Sequence, residues 1–144
     1  VPVLYDYQIK GFFKDAILAL QNMDGSSLST KEKQKKLKLT LYMYKRTIDN
    51  LLFVTPRRIR LNLPQGASLK HCQRPLRAET MKGERVALAC SEEAPAGTEL
   101  SCKITVLNKA LVPVVMECLE YGALKGIGQW RNSGKGRFEF EIEE

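Results

Sequence analysis

Apolar residues recur with a helical period near the start of the chain. Within residues 8–20 they stand three or four positions apart, at Ile9, Phe12, Phe13, Ala16, Ile17 and Leu20. This spacing places apolar side chains on one face of an α-helix. The opposite face carries Lys10, Lys14 and Asp15, and residues 24–27 (Asp-Gly-Ser-Ser) indicate a turn. The pattern therefore predicts an amphipathic helix that ends before this turn.

The next segment, residues 30–46, is strongly basic, and its apolar pattern is ambiguous. Its only acid is Glu32, whereas its basic residues are Lys31, Lys33, Lys35, Lys36, Lys38, Lys45 and Arg46. Apolar residues alternate over residues 37–43 as in a strand, but those over residues 37–52 also suit a helix. Because no Gly or Pro interrupts the segment, we predict a basic helical insertion over residues 31–53. Its lysines form either a solvated face or a flap over a nucleic-acid groove.

From Pro56 onward the apolar residues recur at every second position, which indicates strands. Residues 59–63 alternate in this way. Residues 73–77 predict an edge strand, because Pro75 cannot donate a hydrogen bond to a ladder. Met81-Lys82-Gly83 indicates a hairpin turn that leads into the next strand.

The remaining pattern predicts two more strands, a helix and a closing strand. Strands are expected over residues 86–90 and 100–106, separated by a turn at Pro95-Ala96-Gly97. Residues 108–125 return to helical spacing, and the predicted buried face is Val112, Val115, Leu119 and Ala123. A last strand is expected over residues 137–142. The whole pattern predicts one α+β domain over residues 1–144.

A glycine-rich segment lies between the last predicted helix and the last predicted strand. Two pairs of glycines, Gly126/Gly128 and Gly134/Gly136, bracket residues 129–133 (Gln-Trp-Arg-Asn-Ser). Glycine tolerates positive φ, and a glycine-rich loop can direct several amide N–H groups at an anion. We expect Gly128 and Gly134 to adopt conformations that β-carbons oppose. Trp130 either stacks on a base, with neighbouring cations on phosphates, or fills the core beneath the loop.

Composition and charge narrow the classes of function. A chain of 144 residues with 44% hydrophobic residues is large enough to bury a core. The net charge of +7 indicates either polyanion binding or a basic solvated surface. No window reaches the ~18 apolar residues of a membrane span. The four cysteines form no Cys-x-x-Cys pair, so we expect reduced thiols, no metal or other cofactor, and a cytoplasmic location.

The C-terminal third of the chain carries a recognisable block. Residues 94–100 (Ala-Pro-Ala-Gly-Thr-Glu-Leu) precede a strand, a helix, the glycine-rich segment and a closing strand, up to Glu141. This order resembles the RAMP superfamily, the RNA-binding proteins of CRISPR systems. The glycine-rich loop of that family reads Gly-hydrophobic-Gly, five residues, Gly-hydrophobic-Gly. Ile127 fits the first hydrophobic position, whereas Lys135 departs from the second. Residues 8–20 are similar to the family's early helix, in which Lys14 and Ala16 match.

The resemblance implies a ferredoxin-like (RRM-like) antiparallel sheet with helices on one face, and binding of single-stranded RNA. It also implies protein partners in a CRISPR-like ribonucleoprotein assembly, or self-association. Backbone subunits of the family cut RNA with an aspartate in a loop before the early helix. That loop would lie upstream of Val1, so cleavage is not carried over. The residues expected at the RNA are Lys14, Lys125, Gly126, Gly128, Gln129, Trp130, Arg131, Gly134, Lys135, Gly136 and Arg137.

Two other classes of function stay open from the sequence. The same loop fits one or two phosphates, as in a phage-borne or defence-related module that binds a small nucleotide signal or a host protein complex. An enzyme has one specific version, a metal-free endoribonuclease with His71, the only histidine, as general base. A solvated histidine in a loop explains His71 better than a catalytic base does. No closely spaced Ser/His/Asp set or carboxylate pair is visible, so we expect a non-catalytic protein.

Overall fold

The computed structural model describes residues 2–80, 83–128 and 136–142, and only the backbone for residues 70–80 and 83–92. In these residues the chain is a small α+β protein, as predicted. The helices are α1 (Asp6–Gln21), α2 (Lys31–Lys36), α3 (Tyr44–Leu51) and α4 (Val112–Lys125), with a 3₁₀ turn at Lys109–Leu111. The strands are β1 (Val3–Tyr5), β2 (Leu52–Thr55), β3 (Arg58–Arg60), β4 (Lys70–Thr80), β5 (Gly83–Glu93) and β6 (Lys103–Val106).

The chain divides into two compact units. The larger unit contains Val3–Ile59 and Cys102–Glu144, and the smaller contains Val1–Pro2 and Arg60–Ser101. Within the described part of the chain the strands pair two by two. β1 pairs with β3, β2 runs antiparallel to β6, and β4 runs antiparallel to β5. The finer expectation of one ferredoxin-like sheet stays a prediction.

Helix α1 is the centre of the larger unit. Its first turn is fixed by the Asp6 N–H, which donates to the Arg57 carbonyl (2.9 Å), and by the Tyr5 N–H, which donates to the Gln8 side chain (2.8 Å). The helix packs against α3, α4 and β2. Its buried residues are Ile9, Phe12, Phe13, Ala16, Ile17 and Leu20. This is the predicted face, and each large apolar side chain on it contributes roughly 1.5–3 kcal/mol through burial.

The single helix predicted over residues 31–53 is wrong. The chain leaves α2 at Lys38, which has a φ of 56°, and the Leu39 N–H donates to the Gln34 carbonyl (2.8 Å). This break turns Leu39 into the core, where its side chain is fully buried. The Lys38 carbonyl, freed from the helix, accepts a hydrogen bond from the Thr47 hydroxyl (2.6 Å). Burial of Leu39 and this hydrogen bond stabilise two short helices instead of one, and the chain enters β2 at Leu52.

Helix α4 was placed correctly along the chain, but its predicted buried face is wrong. Leu111, Val114, Cys118 and Gly122 are buried, whereas Val112 is 45% exposed. The difference arises at Gly122, where the absence of a side chain lets α1 approach closely. Leu111, Val114 and Cys118 also have helical spacing, so the apolar pattern alone fits both faces and does not decide between them.

The smaller unit contains the hairpin of β4 and β5. Its register runs from Lys70 opposite Glu93 to Thr80 opposite Gly83, and the predicted turn residues Met81 and Lys82 lie outside the described residues. His71 was expected in a loop, but it lies in β4 opposite Glu92 because the strand is longer than predicted. The predicted turn at residues 95–97 is confirmed. Gly97 has a φ of 90°, and the Thr98 N–H donates to the Pro95 carbonyl (3.3 Å).

The closing strand expected over residues 137–142 is absent from the described residues. Instead, the Phe138 N–H donates to the Ala123 carbonyl near the end of α4 (3.3 Å). The Phe138 ring packs edge-on against Phe12, with 5.7 Å between ring centroids. Because these contacts bind the segment to helices, its alternating pattern does not produce a strand.

Candidate nucleic-acid interface

Backbone hydrogen bonds fix the two ends of the glycine-rich segment, residues 126–128 and Gly136, which are here named the loop base. Helix α4 ends where the Gly126 N–H donates to the Gly122 carbonyl (2.6 Å), and Gly126 itself has a φ of 98°. The Ile127 N–H then donates to the Gly136 carbonyl (3.0 Å). This bond joins the backbone of Ile127 to that of Gly136, nine positions later in the sequence.

Two of the glycines are required for different reasons. Gly136 has a φ of 83°, and a β-carbon built on it would overlap the Ile127 carbonyl oxygen. Gly128 has a φ of 89°, but in the described residues nothing lies within 4 Å of its would-be β-carbon. Gly136 therefore permits a close approach of two backbones, whereas Gly128 supplies only an unusual dihedral angle. The expected conformation of Gly128 is confirmed; Gly134 lies outside the described residues.

A cleft of about 520 Å³ begins at this loop and runs beside α1. One side of α1 lines it, including Gln8, Gly11 and Lys14. Tyr44 and Lys45 at the start of α3 also line it, as do Ile127 and Gly128. Ile127, Gly128 and the basic residues of two helices thus meet in one concave surface.

The charges in the cleft are partly compensated. Lys14 Nζ lies 2.7 Å from Asp49 Oδ1, so its charge is paired. Lys45 is exposed, and its Nζ lies 5.9 Å from the centroid of the Tyr44 ring. Asp15 also lines the cleft. An anion that enters would meet Lys45 directly, and would compete with Asp49 for Lys14.

The structure brings some of the predicted site residues together. Lys14 and Gly128 line the same cleft, and Gly126 and Gly136 shape the base of the loop. Lys125 and Arg137 are exposed beside this base and do not line the cleft. The remaining predicted residues lie outside the described part of the chain: Gln129, Trp130, Arg131, Gly134 and Lys135.

Sequence reasoning missed Gln8, Tyr44 and Lys45 as parts of the site. Lys45 belongs to the basic segment, but its sequence pattern does not distinguish it from the six other cations there. The cleft exists because α3 packs beside α1. No signal in the sequence specified that packing, since it depends on the break between α2 and α3.

The described thiols are unsuited to nucleophilic chemistry. Cys102 and Cys118 are free. Burial, with a smaller effect from the charge of Glu117, raises the pKa of Cys118 to about 12. Burial also raises the pKa of Cys102. A cysteine acts as a nucleophile or metal ligand through its thiolate, which these environments disfavour.

The described residues contain no group of three or more His, Cys, Asp or Glu side chains placed to hold a metal ion. None of the helices in that part of the chain is both long and apolar enough to cross a membrane.

No family model, curated protein or solved structure gives a significant match to this chain. The resemblance to the RAMP superfamily therefore stays an expectation from the sequence, and the cleft has to be interpreted from its own residues.

Proposed function

We propose that this protein binds single-stranded RNA, without cleaving it, in the cleft beside α1 and through the glycine loop. One observation carries the proposal: Ile127 and Gly128 enter the cleft that Lys14 and Lys45 also line. This arrangement offers cations and an open glycine backbone to the same ligand. Phosphate groups are recognised by these two kinds of group.

The residues that follow Gly128 supply the expected contacts to bases. Trp130 and Arg131 come two and three positions after it in the sequence. A stacked aromatic ring contributes about 1–3 kcal/mol per base and tolerates any sequence. A loop whose base borders a cleft lined by Lys14 and Lys45 is a suitable place for such a residue.

We also propose that the protein is related to the RAMP superfamily and has the properties that this relationship implies. They are a ferredoxin-like (RRM-like) arrangement of the strands, a cytoplasmic location, and a role as one subunit of a CRISPR-like ribonucleoprotein assembly. The support for them is the spacing of Gly126, Gly128, Gly134 and Gly136 together with the order of elements before it.

A fluorescence anisotropy titration with mixed-sequence single-stranded RNA tests the proposal. Each phosphate neutralised should contribute about −0.7 to the slope of log K against log salt concentration. We expect Trp130→Ala to weaken binding by ~1–3 kcal/mol. Lys109→Gln serves as control, because Lys109 is exposed and lies outside the cleft. Absence of binding at ~50 mM salt, where electrostatic attraction is strong, would reject the proposal.

The size of the cleft favours a second candidate, a module that binds a small nucleotide. Sites for small ligands commonly have volumes of ~300–1,000 Å³, and this cleft falls in that range. Such a module would suit a phage-borne or defence-related protein that captures a nucleotide signal or blocks a host complex. A mono-, di- or cyclic nucleotide at a hundred times its Kd should stabilise the fold by roughly 2.7 kcal/mol. If no nucleotide stabilises the protein in a thermal-shift screen, while RNA binding is clear, this candidate is rejected.

A further inference from the structure

Residues 31–46, here named the basic lobe, are fixed to the rest of the larger unit by hydrogen bonds and by burial of apolar side chains. The Gln21 side chain donates to the Leu39 carbonyl (2.7 Å), and the Gln34 side chain donates to the Leu28 carbonyl (2.8 Å). Leu28 and Leu39 are fully buried. The exposed side chains of the lobe are therefore presented to solvent from a defined backbone.

The outward side chains of the lobe are strongly cationic. All seven basic residues are exposed: Lys31, Lys33, Lys35, Lys36, Lys38, Lys45 and Arg46. Within the described residues none of the seven forms an ion pair, in contrast to Lys14 with Asp49. Like charges that repel one another without local compensation create a field that attracts a polyanion.

The lobe also exposes three consecutive apolar residues. Leu41 is 58% exposed, Tyr42 94% and Met43 41%. Exposed apolar groups often mark a contact surface, but lysine is depleted at the centres of protein–protein interfaces. A partner for this surface therefore needs a high density of negative charge together with flat apolar faces. Single-stranded RNA has both, in its phosphates and its bases.

The lobe is continuous with the cleft. Tyr44 and Lys45 line the cleft, and Tyr42 precedes Tyr44 by two residues. At 3.8 Å between consecutive Cα atoms, the Cα atoms of Tyr42 and Tyr44 are at most about 8 Å apart. A strand that leaves the cleft at Tyr44 thus passes within reach of Tyr42.

We propose that the basic lobe is a second RNA-binding surface, on which Tyr42 stacks against a base and the lysines contact phosphates. This inference rests on the proposed function and deepens it. The natural ligand is then a strand long enough to cover both cleft and lobe, rather than a mononucleotide.

The test compares short and long RNA in the full chain. Anisotropy titrations use an oligonucleotide of about 4 nucleotides and one of about 16, within the range of site sizes for such proteins. Tyr42→Ala should weaken binding of the long RNA about 5- to 150-fold, the equivalent of one lost stacking contact. Tyr42→Phe should retain it. The combined Lys31→Gln, Lys33→Gln and Lys35→Gln variant should flatten the salt dependence for the long RNA alone.

The controls separate this inference from the proposed function. Tyr7→Ala is the matched variant, because Tyr7 is 61% exposed but belongs to neither lobe nor cleft. Equal losses for Tyr7→Ala and Tyr42→Ala would overturn the assignment to the lobe. Unchanged long-RNA binding in the lobe variants, with weaker binding in Trp130→Ala, would overturn the lobe while the proposed function stands.

Two other outcomes would also be decisive. If neither RNA binds to the unmodified protein, the proposed function fails and this inference fails with it. If Tyr42→Ala abolishes self-association in light scattering while RNA affinity stays unchanged, the exposed residues contact protein, and the inference is overturned.

Discussion

Gly122 of α4 lies against the Phe12 ring of α1 so closely that a β-carbon on Gly122 would overlap the ring. The Phe12 ring also packs edge-to-face with the Phe138 ring, at 5.7 Å between centroids. One aromatic ring thus connects α1, α4 and the segment after the glycine loop. Because the loop base and α1 together border the cleft, this contact sets the position of the candidate site.

We predict that Gly122→Ala destabilises the protein by about 1–3 kcal/mol, the usual cost of overpacking a core. Helix propensity alone would favour alanine by roughly 1 kcal/mol, so the sign of the change shows which effect dominates. Urea unfolding measures it. Gly11→Ala is the matched control. Gly11 also lies within a helix, and in the described residues nothing lies within 4 Å of its would-be β-carbon.

Gly11→Ala should therefore stabilise the fold by about 0.5–1 kcal/mol. If both substitutions stabilise the fold equally, the close contact of Gly122 with Phe12 has no energetic weight. A second check is the pair Gly122→Ala with Phe12→Leu. The smaller side chain should relieve part of the overlap, which would appear as coupling between the two changes.

The second prediction concerns the base of the glycine loop. Gly136→Ala should destabilise the fold and weaken RNA binding, because its β-carbon would overlap the Ile127 carbonyl oxygen. Gly128→Ala has a similar φ but, in the described residues, no such overlap. It should cost only the dihedral penalty of about 1–2 kcal/mol. Melting temperatures of both variants check this order, and a larger loss for Gly128→Ala would contradict the described base.

Sequence patterns predicted the elements whose own residues carry a clear period, and missed those that depend on contacts formed in the folded chain. The buried face of α1 was predictable, because its apolar residues have helical spacing and all pack inward. The break after α2 was not, because it depends on Leu39 reaching the core and on Thr47 bonding to the Lys38 carbonyl. Both contacts form only in the folded chain.

The candidate site was likewise predictable only in part. The glycine spacing predicted the positive φ of Gly128, and Gly134 lies outside the described residues. The positive φ angles of Gly126 and Gly136 were not predicted. The cleft beside it depends on α3 lying next to α1, as in the ion pair of Lys14 with Asp49. Such a pairing of residues distant in sequence leaves no periodic trace, so sequence patterns could not reveal the wall that Tyr44 and Lys45 form.

The third prediction uses the buried thiol of Cys118. Burial first, and the charge of Glu117 second, raise the pKa of Cys118 from 9.0 to about 12. Between these pH values the unfolded chain loses this proton while the native protein keeps it. Unfolding is therefore favoured as pH rises, and the stabilising contribution is complete only below pH ~9.

Urea unfolding at about pH 8 and pH 10.5 should thus show a decline in the free energy of unfolding. Cys118→Ala should lessen that decline, although it lowers stability at pH 8 by about 1 kcal/mol through the lost volume. Cys102→Ala is the comparison, because Cys102 is only half-buried and should have a smaller effect. An identical decline in wild type and Cys118→Ala would show that other groups account for the pH dependence.

The last prediction concerns the competition for Lys14. Its Nζ lies 2.7 Å from Asp49 Oδ1, while its side chain also lines the cleft. If Lys14 contacts a phosphate, RNA has to compete with Asp49 for its charge. Asp49→Asn should therefore raise RNA affinity and steepen the salt slope by up to about 0.7, the contribution of one phosphate. Stability should change by less than about 1 kcal/mol, because the carboxylate is half exposed.

Asp24→Asn provides the matched control for this experiment. It changes the net charge by the same amount, but Asp24 is exposed in the loop after α1 and does not line the cleft. Lys14→Gln should weaken binding, and in that background Asp49→Asn should bring no further gain beyond that of Asp24→Asn. If Asp24→Asn raises affinity as much as Asp49→Asn does in the unmodified protein, only net charge matters. Lys14 would then be a structural partner of Asp49, and the phosphate contacts would lie elsewhere.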